Sequence, residues 1–151
     1  MNLSNASEAE LAYCAGLWDG EGCFYIGKAE AKSKRGRISP YYGLVASLMM
    51  TRREAMLKVE ELFGGESKWR KRLPPNRDVW EWKCYGDDAK MLAKALLPYL
   101  QIKKEAALLA IQFRNHMEPF RWRGPIQLPP HELIIREDFR QRMIALNERG
   151  A

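Results

Sequence analysis

Between Ser7 and Lys28 a helix passes directly into a strand with no loop between them, and this junction constrains the chain more than any other feature. Ser7-Glu8-Ala9-Glu10 has the S-x-x-E form of a capping box, in which the serine hydroxyl and the Glu10 carboxylate each satisfy a backbone donor at a helix start. The spacing predicts a helix from about Glu8 to Asp19, broken by Gly20-Glu21-Gly22. Cys23 to Lys28 then alternates, placing Phe24 and Ile26 on the buried face of a strand.

The same order recurs downstream. The polar segment from Ala29 to Pro40 reads as a strand end and a basic hairpin turn, and Tyr41 to Met50 as the returning strand. Thr51-Arg52-Arg53-Glu54 is a second capping-box pattern, leading a helix with Ala55, Val59, Leu62 and Phe63 on one face and Gly64-Gly65 at its end. A second strand pair, Ser67 to Leu73 and Val79 to Tyr85, is joined through Pro74-Pro75-Asn76. Asp87 or Asp88 caps a helix that gathers Met91, Leu92, Ala95 and Leu96 and ends before Pro98. A helix over about Lys103 to Met117 follows, then a Pro- and Gly-rich crossing over 118–130. The last helix covers about His131 to Asn147, with Ile135, Phe139, Met143 and Leu146 as a docking stripe.

The expected fold is therefore α+β, in the order αββαββα, with a four-stranded antiparallel sheet and extra C-terminal helices. At 151 residues with 46% hydrophobic content the chain suits one domain, 1–151, with a basic core over about 7–117 and a C-terminal loop and helix over about 118–148. Lys+Arg 25 against Asp+Glu 19 gives a net charge of +6 and a pI near 9.3, which favours a polyanionic partner. Cys14, Cys23 and Cys84 are odd in number and lack CxxC spacing, so they suggest neither a disulfide framework nor a zinc site. No apolar run approaches the roughly 20 residues that span a bilayer, and no signal-peptide pattern opens the chain. An intracellular, reducing compartment is expected.

The stretch Ala15-Gly16-Leu17-Trp18-Asp19-Gly20-Glu21-Gly22 resembles the signature of the LAGLIDADG homing endonucleases. Small residues, a bulky pair, two alternating acids and two glycines fall in order on a helix that opens into a strand. Ala12 and Gly16, or Ala15 and Asp19, stand one helical turn apart and permit close helix approach. In this family two signature helices meet at a two-fold interface, so the resemblance assigns Ala12, Ala15, Gly16 and Asp19 to a homodimer interface. One motif per chain implies a homodimer, cutting double-stranded DNA at a long, approximately palindromic target, with no membrane partner.

The resemblance makes Glu21 the catalytic acid and a metal ligand, with the Gly20 carbonyl beside it. Mg²⁺ is the implied cofactor, with Mn²⁺ as a substitute and Ca²⁺ supporting binding without cleavage. The family more commonly has aspartate at this position; the extra methylene moves the carboxylate outward by roughly a bond length. Asp19 either supports the metal or bonds to backbone groups at the helix end. In Leu97-Pro98-Tyr99-Leu100-Gln101-Ile102-Lys103-Lys104, Lys103 matches the family's Pro-aromatic-x-x-x-Lys pattern and is assigned to the active site. Where the family often has a solvent-organising polar residue, this chain has Leu48-Met49-Met50; Arg53, beside Arg52, is taken to supply positive charge there instead.

Two hairpins carry much of the basic charge: Lys28, Lys32, Lys34, Arg35 and Arg37, then Lys68, Arg70, Lys71, Arg72 and Arg77. The family lays its antiparallel sheet on DNA as a saddle, and strands in the major groove reach base edges with alternate side chains. Tyr25, Lys32, Lys34, Arg35, Arg37, Tyr41, Ser47, Lys68, Arg70, Arg72 and Arg77 are the expected DNA-contacting residues. Trp80 and Trp82 are expected on the core side with Glu81 and Lys83 opposite, although a one-residue slip would exchange the faces. The alternatives are a non-cleaving DNA-binding regulator or RNA-splicing maturase of the same fold, and a small basic interaction domain.

Overall fold

The computed structural model describes residues 3–30, 32–33, 36–37, 39–120 and 127–149. Helix α1 spans Glu8–Glu21, and its capping box forms as the sequence requires: Glu10 N donates to Ser7 Oγ at 3.2 Å and Ser7 N to Glu10 Oε2 at 2.9 Å. The helix runs two residues further than expected, so that Glu21 is its last residue and Gly22 its cap as well as the first residue of strand β1, Gly22–Ala29.

The short strands β2, Lys32–Ser33, and β3, Gly36–Arg37, pair with each other, and β4 spans Tyr41–Met50. Helix α2, Leu57–Phe63, is preceded by a 3-10 turn over Arg53–Met56. The capping box expected at Thr51-Arg52-Arg53-Glu54 does not form: Arg52 occupies the cap with no side-chain bond, and Glu54 lies 3.8 Å from its guanidinium instead. Strands β5, Lys68–Arg70, and β6, Val79–Tyr85, follow; β5 is shorter than the Ser67 to Leu73 expected. Helix α3 covers Gly86–Leu96 with Tyr85 as its cap, so Asp87 and Asp88 stand in the first turn, where acids favour the helix dipole, and not at the cap. Helices α4, Lys104–Met117, and α5, Pro130–Arg149, complete the chain.

Strands β1, β4, β5 and β6 form one antiparallel sheet in the order β1-β4-β6-β5. One face, carrying Phe24, Ile26, Leu44, Ala46, Leu48 and Trp82, is buried in the core under the helices. The centre of that core is aromatic: Trp18 of α1 is fully buried, with Phe24 at 5.3 Å and Trp82 at 6.3 Å between ring centroids. Gly22 lies directly on the Trp18 indole, so close that a Cβ there would sit 2.4 Å from a ring carbon.

Helix α5 covers the edge strand β1, where Asn147 Nδ2 donates to the Phe24 carbonyl at 2.9 Å. Its Glu137 accepts from the Tyr42 hydroxyl at 2.6 Å and from Lys28 Nζ at 3.2 Å; these bonds, Tyr42's foremost and Gln141's next, hold the carboxyl down at about 2. Of the expected docking stripe, Met143 is buried and Phe139 and Leu146 pack on the core, whereas Ile135 is exposed. Its place on the packed face is taken by a buried ion pair, Arg136 Nε to Glu132 Oε1 at 2.7 Å, with His116 of α4 2.9 Å from the same oxygen. No helix among the described residues is long and apolar enough to cross a membrane.

Gly22→Ala is expected to lower stability by about 1–3 kcal/mol, because the new methyl must displace a fully buried indole. Denaturant unfolding of the two proteins checks this, and an unchanged midpoint would mean that the Trp18 contact is looser than described.

Candidate active site and basic sheet face

The end of α1 carries Glu21 into solvent while the residues on either side of it are tied down. Gly22 is fixed by Trp18. Asp19 is fixed by the segment before α4: its Oδ2 accepts from Gln101 N at 2.8 Å, and its Oδ1 from Ile102 N at 3.0 Å and Lys103 N at 2.9 Å. A carboxylate at this point caps the amide end of α4 from a distance of more than eighty residues in sequence, which is the structural one of the two roles open to it. The same bonds place Lys103, whose Nζ donates to the Gly22 carbonyl. At the helix-to-strand junction Lys103 is thus tied to the residue that follows Glu21, although nothing in their spacing along the chain joins them.

On one side of this junction is a cleft of about 450 Å³ whose lining includes Glu21, Ser47, Met49, Arg72 and Arg77. On the other side a cavity of about 300 Å³ is bordered by Gly22, Lys103 and Asn147, and Cys23 borders both. Burial pushes the Cys23 thiol up, with the Lys103 charge acting in the opposite direction. The cleft combines an exposed carboxylate with two guanidinium side chains, so it can receive a cation and an anionic group together. Met49, Met50 and Thr51 also line it, so the departure noted in the sequence leaves two thioether side chains here. Thr51, whose hydroxyl the sequence pattern assigns to a helix cap, lines this cleft instead.

Arg53 does not join this group. Its guanidinium donates to Ser67 Oγ at 3.1 Å and Glu60 Oε2 at 3.3 Å and lies 5.3 Å from the Trp80 ring centroid. It is a brace between α2 and the β5–β6 pair, and the guanidinium groups that line the cleft are those of Arg72 and Arg77.

The strand register sorts the remaining residues by face. Tyr25 pairs with Val45, Cys23 with Ser47, Ala29 with Tyr41, Ser47 with Lys83, Met49 with Glu81 and Lys68 with Glu81. Directly paired residues share a face, so Tyr25, Tyr41, Ser47, Lys68, Glu81 and Lys83 lie on the outer side of the sheet, opposite the core. Arg70, two residues from Lys68, shares that face. Trp80 and Trp82 fall on the core side, which resolves the slip left open by the sequence. Lys34 and Arg35 lie outside the described residues, as do the side chains of Lys32 and Arg37.

Of the four residues assigned to a helix interface, Ala12 and Gly16 are exposed, as is Gly20 one turn on, and a Cβ added at Gly16 or Gly20 would meet nothing within 4 Å. Ala15 has no exposed surface, and Asp19 is taken up by the α4 backbone, so these two face into their own domain. Glu81 lies on the outer face with Lys83, as expected, but its side chain is buried between Arg70 and Lys83.

Asp19→Ala removes three charge-assisted hydrogen bonds and is expected to cost about 2 kcal/mol of stability, whereas Glu21→Gln, at an exposed position, should stay within about 0.5 kcal/mol of the parent. Urea titration distinguishes them; equal midpoints for the Asp19 variant and the parent would show that its carboxylate is not what holds α4.

No family model matches the sequence, and no curated protein matches it. Solved structures do. The homing endonuclease I-CvuI, in complex with a DNA target, superposes with a TM-score of 0.72 at 19% identity over 92% of this chain and 82% of that one. An archaeal intron-encoded homing endonuclease, I-Vdi141I, complexed with DNA, gives 0.67 at 16% identity over 92% and 84%. The LAGLIDADG meganuclease I-AabMI, bound to uncleaved DNA, gives 0.61 at 17% identity, with 85% of this chain covering 44% of that one. The chain therefore has the fold of the LAGLIDADG homing endonucleases, the family that its segment 15–22 resembles.

Proposed function

We propose that this chain is one subunit of a site-specific, metal-dependent DNA endonuclease that acts as a homodimer on a long, approximately palindromic duplex. The observation that carries this reading is the cleft that gathers Glu21, Arg72 and Arg77 at the helix-to-strand junction, with Lys103 bonded to the Gly22 carbonyl on the junction's other side. Proteins of the same fold, I-CvuI and I-Vdi141I among them, have been solved on DNA. Tyr25, Lys68 and Arg70 on the outer face suit a duplex partner.

Among the described residues no group of three or more His, Cys, Asp or Glu side chains is placed to hold a metal ion. One chain offers the Glu21 carboxylate and the Gly20 carbonyl, both hard oxygen donors in the last turn of α1, where carbonyls lack intrahelical donors and the helix dipole is negative. This set fits Mg²⁺, which takes one or two carboxylates and fills its shell with water and phosphate oxygens. When bound, the ion stabilises charge on the attacking and leaving oxygens of phosphodiester hydrolysis. Lys103 holds a positive charge at the same junction, and Arg72 and Arg77 bind the phosphates that flank the cut. A second chain packed on the exposed Ala12, Gly16 and Gly20 side of α1 brings its own Glu21 to the two-fold axis, completing a site for two strands.

Met49 and Met50 favour a second reading, since the thioether side chains offer water weaker orienting partners than polar groups would. A protein that binds nucleic acid through this fold without cutting it, as a DNA-binding regulator or an RNA-splicing maturase, fits that feature.

Glu21→Gln is expected to bind the same duplex as the parent with cleavage reduced by at least on the order of a hundredfold. Full cleavage by that variant would remove Glu21 from the chemistry. Light scattering should give twice the chain mass of 17.5 kDa for the parent. Gly16→Arg, for which the monomer has room, should give a folded single chain that does not cut; a monomeric parent that cuts would contradict the dimer.

A further inference from the structure

The outer face of the sheet holds a buried carboxylate among its cations. Glu81, in the middle of β6, is only 7% exposed and stands between its register partners Met49 and Lys68. Arg70 Nε reaches one of its oxygens at 2.7 Å and Lys83 Nζ the other at 2.7 Å. Burial pushes the carboxyl up, but the bonds from Lys83 and Arg70 outweigh burial and hold it below its ordinary value. Lys83 is raised in turn, chiefly by Glu81, with Tyr25 contributing from β1.

On a surface that meets a polyanion this arrangement opposes affinity. It repels phosphate and offsets one of the two positive charges that would otherwise release counterions from DNA. What it gains is orientation. An arginine held through Nε keeps its two Nη groups as a fixed planar pair, the geometry that bonds guanine O6 and N7, whereas an untethered one follows the nearest phosphate. The Arg70 side chain is 57% exposed, so it is tethered and still open to a partner.

We propose that Glu81 is a positioning residue for sequence discrimination: by holding Arg70 and Lys83 on the outer face it directs Arg70 to a guanine edge and away from the DNA backbone. This rests on the DNA-binding reading above. The test selects duplexes from a randomised pool in Ca²⁺ with the parent, Glu81→Gln and Arg70→Lys, then measures binding of consensus and scrambled duplexes over a range of salt. The parent should select a guanine that both variants relax, with discrimination at that base pair falling on the order of tenfold. Glu81→Gln should bind scrambled duplex more tightly, with a salt dependence steeper by about one counterion.

An unchanged consensus in Glu81→Gln, or an equal loss of binding to every sequence, overturns the inference and leaves the DNA reading standing. A parent that selects no consensus overturns both. Should Glu81→Gln not fold, Glu81→Asp, which keeps the charge but shortens its reach, should relax the guanine preference with no change in salt dependence, and an unchanged consensus in that variant overturns the inference.

Discussion

Everything the candidate site needs depends on the contact between Gly22 and the Trp18 indole. Because the last glycine of α1's junction lies flat on a buried ring, the helix can turn into the sheet without a loop, and the residue between, Glu21, is presented to solvent by elements that cannot shift independently. Asp19 extends the constraint by binding three amides ahead of α4. An acid on a free loop would sample many positions; an acid between two such anchors is held where a cation and a phosphate can meet it.

The arrangement divides the labour between the two faces of one sheet. The inner face builds the core from aromatic and aliphatic side chains, and its rigidity is passed to the outer face through the register of β1, β4, β6 and β5. The outer face accordingly carries costly features: a buried acid in an ion-pair cluster, and cations held close to one another. Such groups are tolerated where the scaffold compels them and where a ligand provides the return.

Most of the architecture was legible in the sequence because it follows from short-range patterns. The Ser7-Glu10 capping box, the Phe24 and Ile26 alternation and the glycines after Phe63 each state their element locally. Failures came where a local pattern had to compete with a distant partner. Thr51-Arg52-Arg53-Glu54 reads as a cap, but Arg53 is drawn to Glu60, Ser67 and Trp80, and the chain turns as a 3-10 segment. The burial of Glu81, Glu132 and Arg136 is not legible locally, because hydropathy cannot see the opposite charges that the register and the α4–α5 packing bring to them. Glu21 and Lys103 are site candidates through resemblance alone; the Asp19 carboxylate that joins their elements follows from no spacing rule. Ala15 and Asp19 turn towards their own domain, since helical spacing shows which residues share a face but not which face is covered.

The central claim, that the junction is a metal-dependent centre for cutting duplex DNA, is tested most directly by adding Mg²⁺ to the protein bound in Ca²⁺ to a duplex that it has selected, and mapping the ends. The account predicts one cut in each strand, at fixed positions related by the two-fold axis of the target. A duplex that stays bound and intact would contradict it and leave a DNA-binding protein that has the fold without the chemistry.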